Sequence, residues 1–165
     1  MEIQFTPWRM AYIKSDNSSA TNECVLCRLG REEPGVENLV LFRGTSCYVV
    51  MNRYPYNTGH LMVAPYEHTS DLPGLAPEVA EELFDLTRRC ITLVGQAMQP
   101  DGFNMGMNLG KAAGAGIDEH LHMHVVPRWG GDMNFMPIIG GVKLIPEALD
   151  QTYAHLYPLF AALKE

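Results

Sequence analysis

The sequence predicts an α+β domain: an antiparallel sheet of about five short strands, one long helix over about residues 76–98, and a second helix near the C-terminus. Three observations predict it. Short apolar runs bounded by turn residues fill 39–65, the apolar period lengthens to three and four residues over 76–98, and two more strand-like runs precede a final helical pattern. A chain of 165 residues suffices for one compact core and is too short to expect two. Residues 1–165 are therefore expected to form a single domain, with residues 1–30 as an N-terminal extension.

Residues 14–23 are polar and are expected to form a mobile loop leading into Cys24-Val25-Leu26-Cys27. Leu39 to Arg43, Ser46 to Met51 and His60 to Pro65 read as strands. Arg43-Gly44-Thr45 turns the first into the second, and Tyr54-Pro55-Tyr56-Asn57-Thr58-Gly59 turns the second into the third. In the long helix Val79, Leu83, Leu86, Cys90, Val94 and Ala97 share one face, and Pro77 sits near the first helical position, where its missing N–H costs nothing. Pro100-Asp101-Gly102 ends that helix. Phe103 to Leu109 reads as a strand, Gly110 to Gly116 as a Gly/Ala-rich loop, and Leu121 to Pro127 as the last strand. The closing helix runs from Pro146 to Leu163 on Leu149, Tyr153, Leu156 and Phe160, with Pro158 expected to bend or interrupt it.

The net charge of −7 argues against a general nucleic-acid binder, which gains its affinity from a basic surface. A small nucleotide needs only a local pocket of donors and stays possible. No apolar run approaches the roughly 18–20 residues that span a bilayer, and the first residues lack a secretory pattern. A cytoplasmic protein with no membrane partner is the expectation. In a reducing compartment Cys24 and Cys27 read as half of a metal site, not as a disulfide. Cys47 and Cys90 fall on a strand and on an apolar helix face and read as packed thiols.

Three of the six histidines lie within His120-Leu121-His122-Met123-His124. On a strand they would project from one face, successive rings about 6.5–7 Å apart; on a helix His122 would point away from the other two. Val125-Val126-Pro127 favours the strand. Burying three imidazoles together is expensive without partners, so the row suggests metal binding, catalysis or both. A polar sheet face is the plain alternative. A metal held by all three side chains is another, made awkward by the span from the first to the third.

Asn52-Arg53-Tyr54-Pro55, Gly59-His60-Leu61-Met62-Val63 and His120-Leu121-His122-Met123-His124-Val125-Val126-Pro127-Arg128 resemble the histidine-triad (HIT) superfamily in content, order and spacing. Thr6 to Ile13 and Arg128 to Phe135 are similar to its diadenosine-tetraphosphate phosphorylase-like (ATP adenylyltransferase-like) branch. The resemblance spans roughly residues 8–135 and implies a HIT-like fold. It also implies an enzyme, a nucleotidyl hydrolase or transferase cleaving dinucleoside polyphosphates through a nucleotidyl-histidine on His122, resolved by phosphate or water. His124 would contact phosphate and assist the leaving group, His60 would sit beside the same pocket, Asn52 would bond the ribose, and Asn108 would touch phosphate. Many family members carry a Gly-Gln or similar polar pair before the triad, where this chain has Ala115-Gly116. Backbone N–H groups around Gly114 and Gly116, with Lys111, would serve phosphate instead. The resemblance further implies a structural Zn²⁺ held by Cys24, Cys27, His68 and His120, and a homodimer. The alternatives are a nucleoside phosphoramidate or adenylate hydrolase, and a non-catalytic zinc-containing nucleotide-binding module.

Overall fold

The computed structural model describes residues 23–132 and 145–163. The polar loop expected over 14–23 lies, but for its last residue, outside them, as do Thr6 to Ile13 and Met133 to Phe135. Five strands form in chain order: β1 (Val40–Arg43), β2 (Cys47–Met51), β3 (Leu61–Pro65), β4 (Gly102–Gly106) and β5 (Met123–Arg128). Helix α1 (Val25–Leu29) precedes them, α2 (Pro77–Met98) joins β3 to β4, and α3 (Leu149–Ala161) closes the chain. The sheet order is β1-β2-β3-β5-β4, every pair antiparallel. The first three strands meander through short turns. The chain then leaves through α2, returns as the far edge β4, and β5 fills the place between β3 and β4.

Strand alternation sorts the side chains onto two faces. Cys47, Val49, Leu61, Val63 and Val125 face one way, and all are fully buried. That side carries the long helices: α2 packs on β2, β3 and β5, α3 on β1 and on α2, and the Cys47 thiol reaches the Val79 carbonyl at 3.7 Å. Tyr48, Met62 and His124 face the other way. There α1 docks, with the Tyr48 hydroxyl donating to the Leu26 carbonyl at 2.7 Å. The histidine face is thus the face away from the long helices. Cys47 and Cys90 are packed thiols as expected, both fully buried; burial pushes Cys47 up to about 12 and Cys90 further still.

Some boundaries differ from the sequence reading. The strand expected to run to Leu109 ends at Gly106, and the one expected from Leu121 begins at Met123. The residues just before β5 spend their polar groups elsewhere: the Leu121 N–H donates to the Thr69 carbonyl at 2.7 Å. Helix α1 is five residues long, too short for periodicity to reveal it. Pro158 does not interrupt α3, which continues through it. The carbonyl deprived of a donor there is that of Ala154, which is exposed, so water can serve it.

Helix α2 also sets the β1–β2 turn. The Glu82 carboxylate accepts the N–H groups of Thr45 at 2.7 Å and Ser46 at 2.6 Å. A Cβ on Gly44 would collide with that carboxylate, so the turn can close on Glu82 only with glycine there. Hydrogen bonds to a charged acceptor contribute more than neutral ones. Glu82→Ala is expected to lower unfolding free energy by about 2 kcal/mol, measured by urea denaturation.

Candidate active site and metal cluster

The topology inserts β5 beside β3, and this brings His60 to His124. Leu61 pairs with Val125 and Met62 with His124, which makes His60 and His124 diagonal neighbours on one face. Their rings meet through His60 Nε2 and His124 Nδ1 at 2.9 Å. The proton positions follow from the surroundings. The Tyr56 N–H donates to His60 Nδ1 at 3.0 Å, and the Asn52 amide approaches the same nitrogen at 3.3 Å. His60 Nδ1 is therefore an acceptor, Nε2 carries the proton and donates it to His124 Nδ1, and His124 must carry its own proton on Nε2. That Nε2 is buried and has no partner among the described residues. A buried donor without an acceptor is costly, and here it points to a ligand oxygen.

His122 holds the opposite tautomer. Its Nδ1 lies 2.8 Å from the His120 carbonyl, so Nδ1 donates and the lone pair sits on Nε2. The His122 and His124 rings are 4.8 Å apart and nearly perpendicular. Burial, opposed by the bond to the His120 carbonyl, lowers the His122 pKa. Burial and the neighbouring His122 lower His124 to about 4. Both rings are neutral near pH 7: one offers a lone pair, the other an N–H.

The low His124 value has a consequence for stability. The unfolded ring titrates near 6.5 and the folded one near 4, so between these values acid charges the unfolded chain and not the folded one. Stability is unaffected above about pH 6.5 and falls below it, by up to about 3 kcal/mol at pH 4. His124→Asn is expected to flatten that slope in denaturation midpoints recorded from pH 7 to pH 4.

His120 stands apart from this chemistry. Its Nε2 lies 2.8 Å from the Pro65 carbonyl, which leaves Nδ1 as the lone-pair side. That nitrogen is 3.5 Å from Cys24 Sγ, 3.4 Å from Cys27 Sγ and 3.4 Å from His68 Nδ1, while Cys27 Sγ lies 3.2 Å from His68 Nδ1. All four donor atoms fall within 4.8 Å of one another. The edges of a tetrahedron with Zn–S and Zn–N bonds of ordinary length are about 3.3–3.8 Å, so the four donors fit one ion. The bond from His120 Nε2 to a backbone carbonyl is the usual way a ligating imidazole is oriented. The short α1 turn, held by Tyr48, brings Cys24 and Cys27 to His68 and His120, although Cys27 and His120 are 93 positions apart in the chain.

The remaining expected residues are less gathered. Asn52 caps the end of β2, with its Oδ1 accepting the Tyr54 N–H at 3.0 Å and its amide turned toward His60. Asn108 lies two residues beyond Gly106, whose register partner is His124. Lys111 opens a single 3₁₀ turn, Lys111–Ala113; it is exposed and sits 3.8 Å from Asp118. Gly114 closes that turn at φ +87°, where glycine is unstrained, and Gly116 is exposed. The structure thus unites His60, His122 and His124, and separately Cys24, Cys27, His68 and His120. Tyr56 and Asn57 touch His60, Asp132 holds Asn57, and none of the three was singled out in the sequence. Asn57 reads there as an ordinary turn residue, and no spacing marks its contact with a residue 75 positions away.

The HIT-domain family model matches residues 34–131. The chain belongs to the HIT family. Cys24 and Cys27 precede the matched region, whereas His60, His68 and the triad fall inside it. This HIT chain is 45% identical over 154 residues to the AP-4-A phosphorylase of Mycobacterium tuberculosis, covering 90% of this chain and 78% of that protein. It is 30% identical to the adenylylsulfatase HINT3 of Arabidopsis thaliana, over 70% of this chain and 57% of the other. Among solved structures it is similar to a Zn-bound histidine triad family protein from Mycobacterium smegmatis, with a TM-score of 0.66 and 26% identity, over 84% of this chain and 94% of that one. No helix of the described residues is long and apolar enough to cross a membrane.

Proposed function

We propose that this protein cleaves dinucleoside polyphosphates such as diadenosine tetraphosphate by nucleotidyl transfer through His122. The observation that carries the reading is the arrangement of two adjacent rings: His122 Nδ1 lies on the His120 carbonyl, which leaves the lone pair on Nε2, beside a buried His124 Nε2 that has no partner among the described residues. The relative named AP-4-A phosphorylase supports the choice of substrate. His122 Nε2 attacks the α-phosphorus, an N–P bond forms, and the P–O bond to the remaining polyphosphate breaks. His124 Nε2–H donates to the phosphate oxygens as charge builds on the leaving oxygen. His60 keeps that proton on Nε2 by occupying His124 Nδ1. The His120 carbonyl accepts from His122 Nδ1–H and shares the positive charge of the nucleotidyl-imidazole. Inorganic phosphate or water then attacks the same phosphorus and frees His122.

Asn52 would bond the ribose, and Asn108, Lys111 and the backbone of Gly114 and Gly116 would serve the phosphates. Cys24, Cys27, His68 and His120 would hold a structural Zn²⁺, which suits a set of two thiolates and two imidazoles. Bound there, it would tie α1 to the strand end that leads into His122 and take no part in the reaction. The reading includes a single domain over residues 1–165 with 1–30 as an extension, a cytoplasmic setting, and a homodimer formed by joining two sheets at an edge.

Product analysis tests it. Diadenosine tetraphosphate with inorganic phosphate gives ADP and ATP if phosphate is the acceptor; with water alone it gives AMP and ATP. Neither product, from folded protein, would defeat the proposal.

A further inference from the structure

The turn between β2 and β3 carries His60, and one residue of that turn is held from outside the triad. Asn57 is 6% exposed, and both of its amide hydrogens are used: Nδ2 donates to the Pro127 carbonyl at 2.9 Å and to Asp132 Oδ2 at 2.7 Å. A side-chain amide nitrogen has two hydrogens, one for each of these acceptors. On its other side the Asn57 carbonyl accepts the His60 N–H at 3.1 Å. One residue therefore links the end of β5 to the backbone of His60. Asp132 is itself fixed. The Arg128 guanidinium reaches its two oxygens at 2.7 and 3.0 Å, and the Trp129 N–H donates at 3.2 Å. Arg128 is in turn braced on Asn104 Oδ1 at 2.6 Å. Gly59, at φ +76°, lies so close to Met98 that a Cβ would stand 2.7 Å from its sulfur, so the turn is confined from the helix side as well. The contacts run in sequence from Asp132 to Asn57, to His60 and to His124.

We propose that Asp132 is a positioning residue for nucleotidyl transfer, acting through Asn57 to hold His60 against His124. The proposal rests on the nucleotidyl-transfer reading for its kinetic consequence, and not for its structural one. A displaced His60 would no longer hold the proton of His124 on Nε2, and the donor aimed at the leaving group would be lost part of the time. Substrate would still bind. The effect belongs in kcat, where a misplacement of about 1 Å costs up to about 100-fold.

The test uses the full chain with ¹⁵N-labelled histidine and no substrate, then steady-state kinetics on diadenosine tetraphosphate with phosphate. In the wild type, ring-nitrogen shifts of His60 and His124 each report one Nε2–H tautomer. In Asp132→Ala and in Asn57→Ala these shifts move toward those of a mixed-tautomer imidazole, and kcat falls about 10- to 100-fold with KM within about twofold. The double variant loses no more than the more affected single one, because both act on one chain of contacts. Wild-type histidine shifts in the folded variants would overturn the proposal, and so would losses in kcat that multiply in the double variant. If Asp132→Ala does not fold, Asn57→Ala decides by the same shifts. If the wild type cleaves no dinucleoside polyphosphate, the functional reading fails and the nitrogen shifts still decide the link.

Discussion

His122→Ala is expected to lower turnover of diadenosine tetraphosphate by at least about 10⁴-fold, in line with removal of a nucleophile elsewhere. No neighbouring group can replace it. His124 Nδ1 is occupied by His60 and its Nε2 carries a proton; His120 has one nitrogen on the Pro65 carbonyl and the other among the cysteines. Each other imidazole of the site thus lacks a lone pair directed at a substrate. The fold is expected to persist, since His122 contributes one ring bond and that bond is local. Stopped reactions with radiolabelled substrate check the mechanism: adenylate should remain on wild-type protein after acid-free quench and be missing from His122→Ala. A variant retaining wild-type kcat, or a wild type carrying label at another residue, would rule out His122 as the nucleophile.

Removal of the metal is expected to have the largest effect on stability. The purified protein should carry about one Zn²⁺ per chain by elemental analysis, and Cys27→Ser should carry much less. Structural zinc in peptides without another core provides roughly 10–16 kcal/mol; here the sheet and α2 supply most of the core, so a smaller share is expected, about 3–5 kcal/mol. For a domain of this size that corresponds to a fall in Tm of about 10–15 °C on chelation or in Cys27→Ser. The loss arises because the other ties of α1 to the sheet are modest: the Tyr48 hydroxyl on the Leu26 carbonyl, the Arg43 guanidinium on the Gly30 and Glu32 carbonyls just past its end, and burial of Leu26 and Leu29. An unchanged Tm after exhaustive chelation of a zinc-loaded sample would show that the ion does not brace the fold.

Much of the architecture was legible because it depends on local periodicity. The face of α2 is written in Leu83, Leu86, Cys90 and Val94, and all four are buried. The apolar runs became β1 to β3 with the turns where Gly44 and Gly59 stand. The helix α1 was not legible, since one turn shows no period, and neither was the continuity of α3 through Pro158, which depends on solvent reaching the carbonyl of Ala154. The His-x-His-x-His spacing pointed to a shared site, and the resemblance assigned the residues different tasks.

By itself the sequence determined most of the strand segments, the two longer helices and the pairing of Cys24 with Cys27; it also grouped His120, His122 and His124, of which only His124 lies within β5. Tertiary structure decided what each imidazole does. A tautomer depends on which group lies against the second nitrogen: a carbonyl two residues back for His122, Pro65 across the sheet for His120, and His60 for His124. The last two contacts join residues 55 and 64 positions apart. They exist only because β5 enters the sheet beside β3, a pairing that no local pattern encodes.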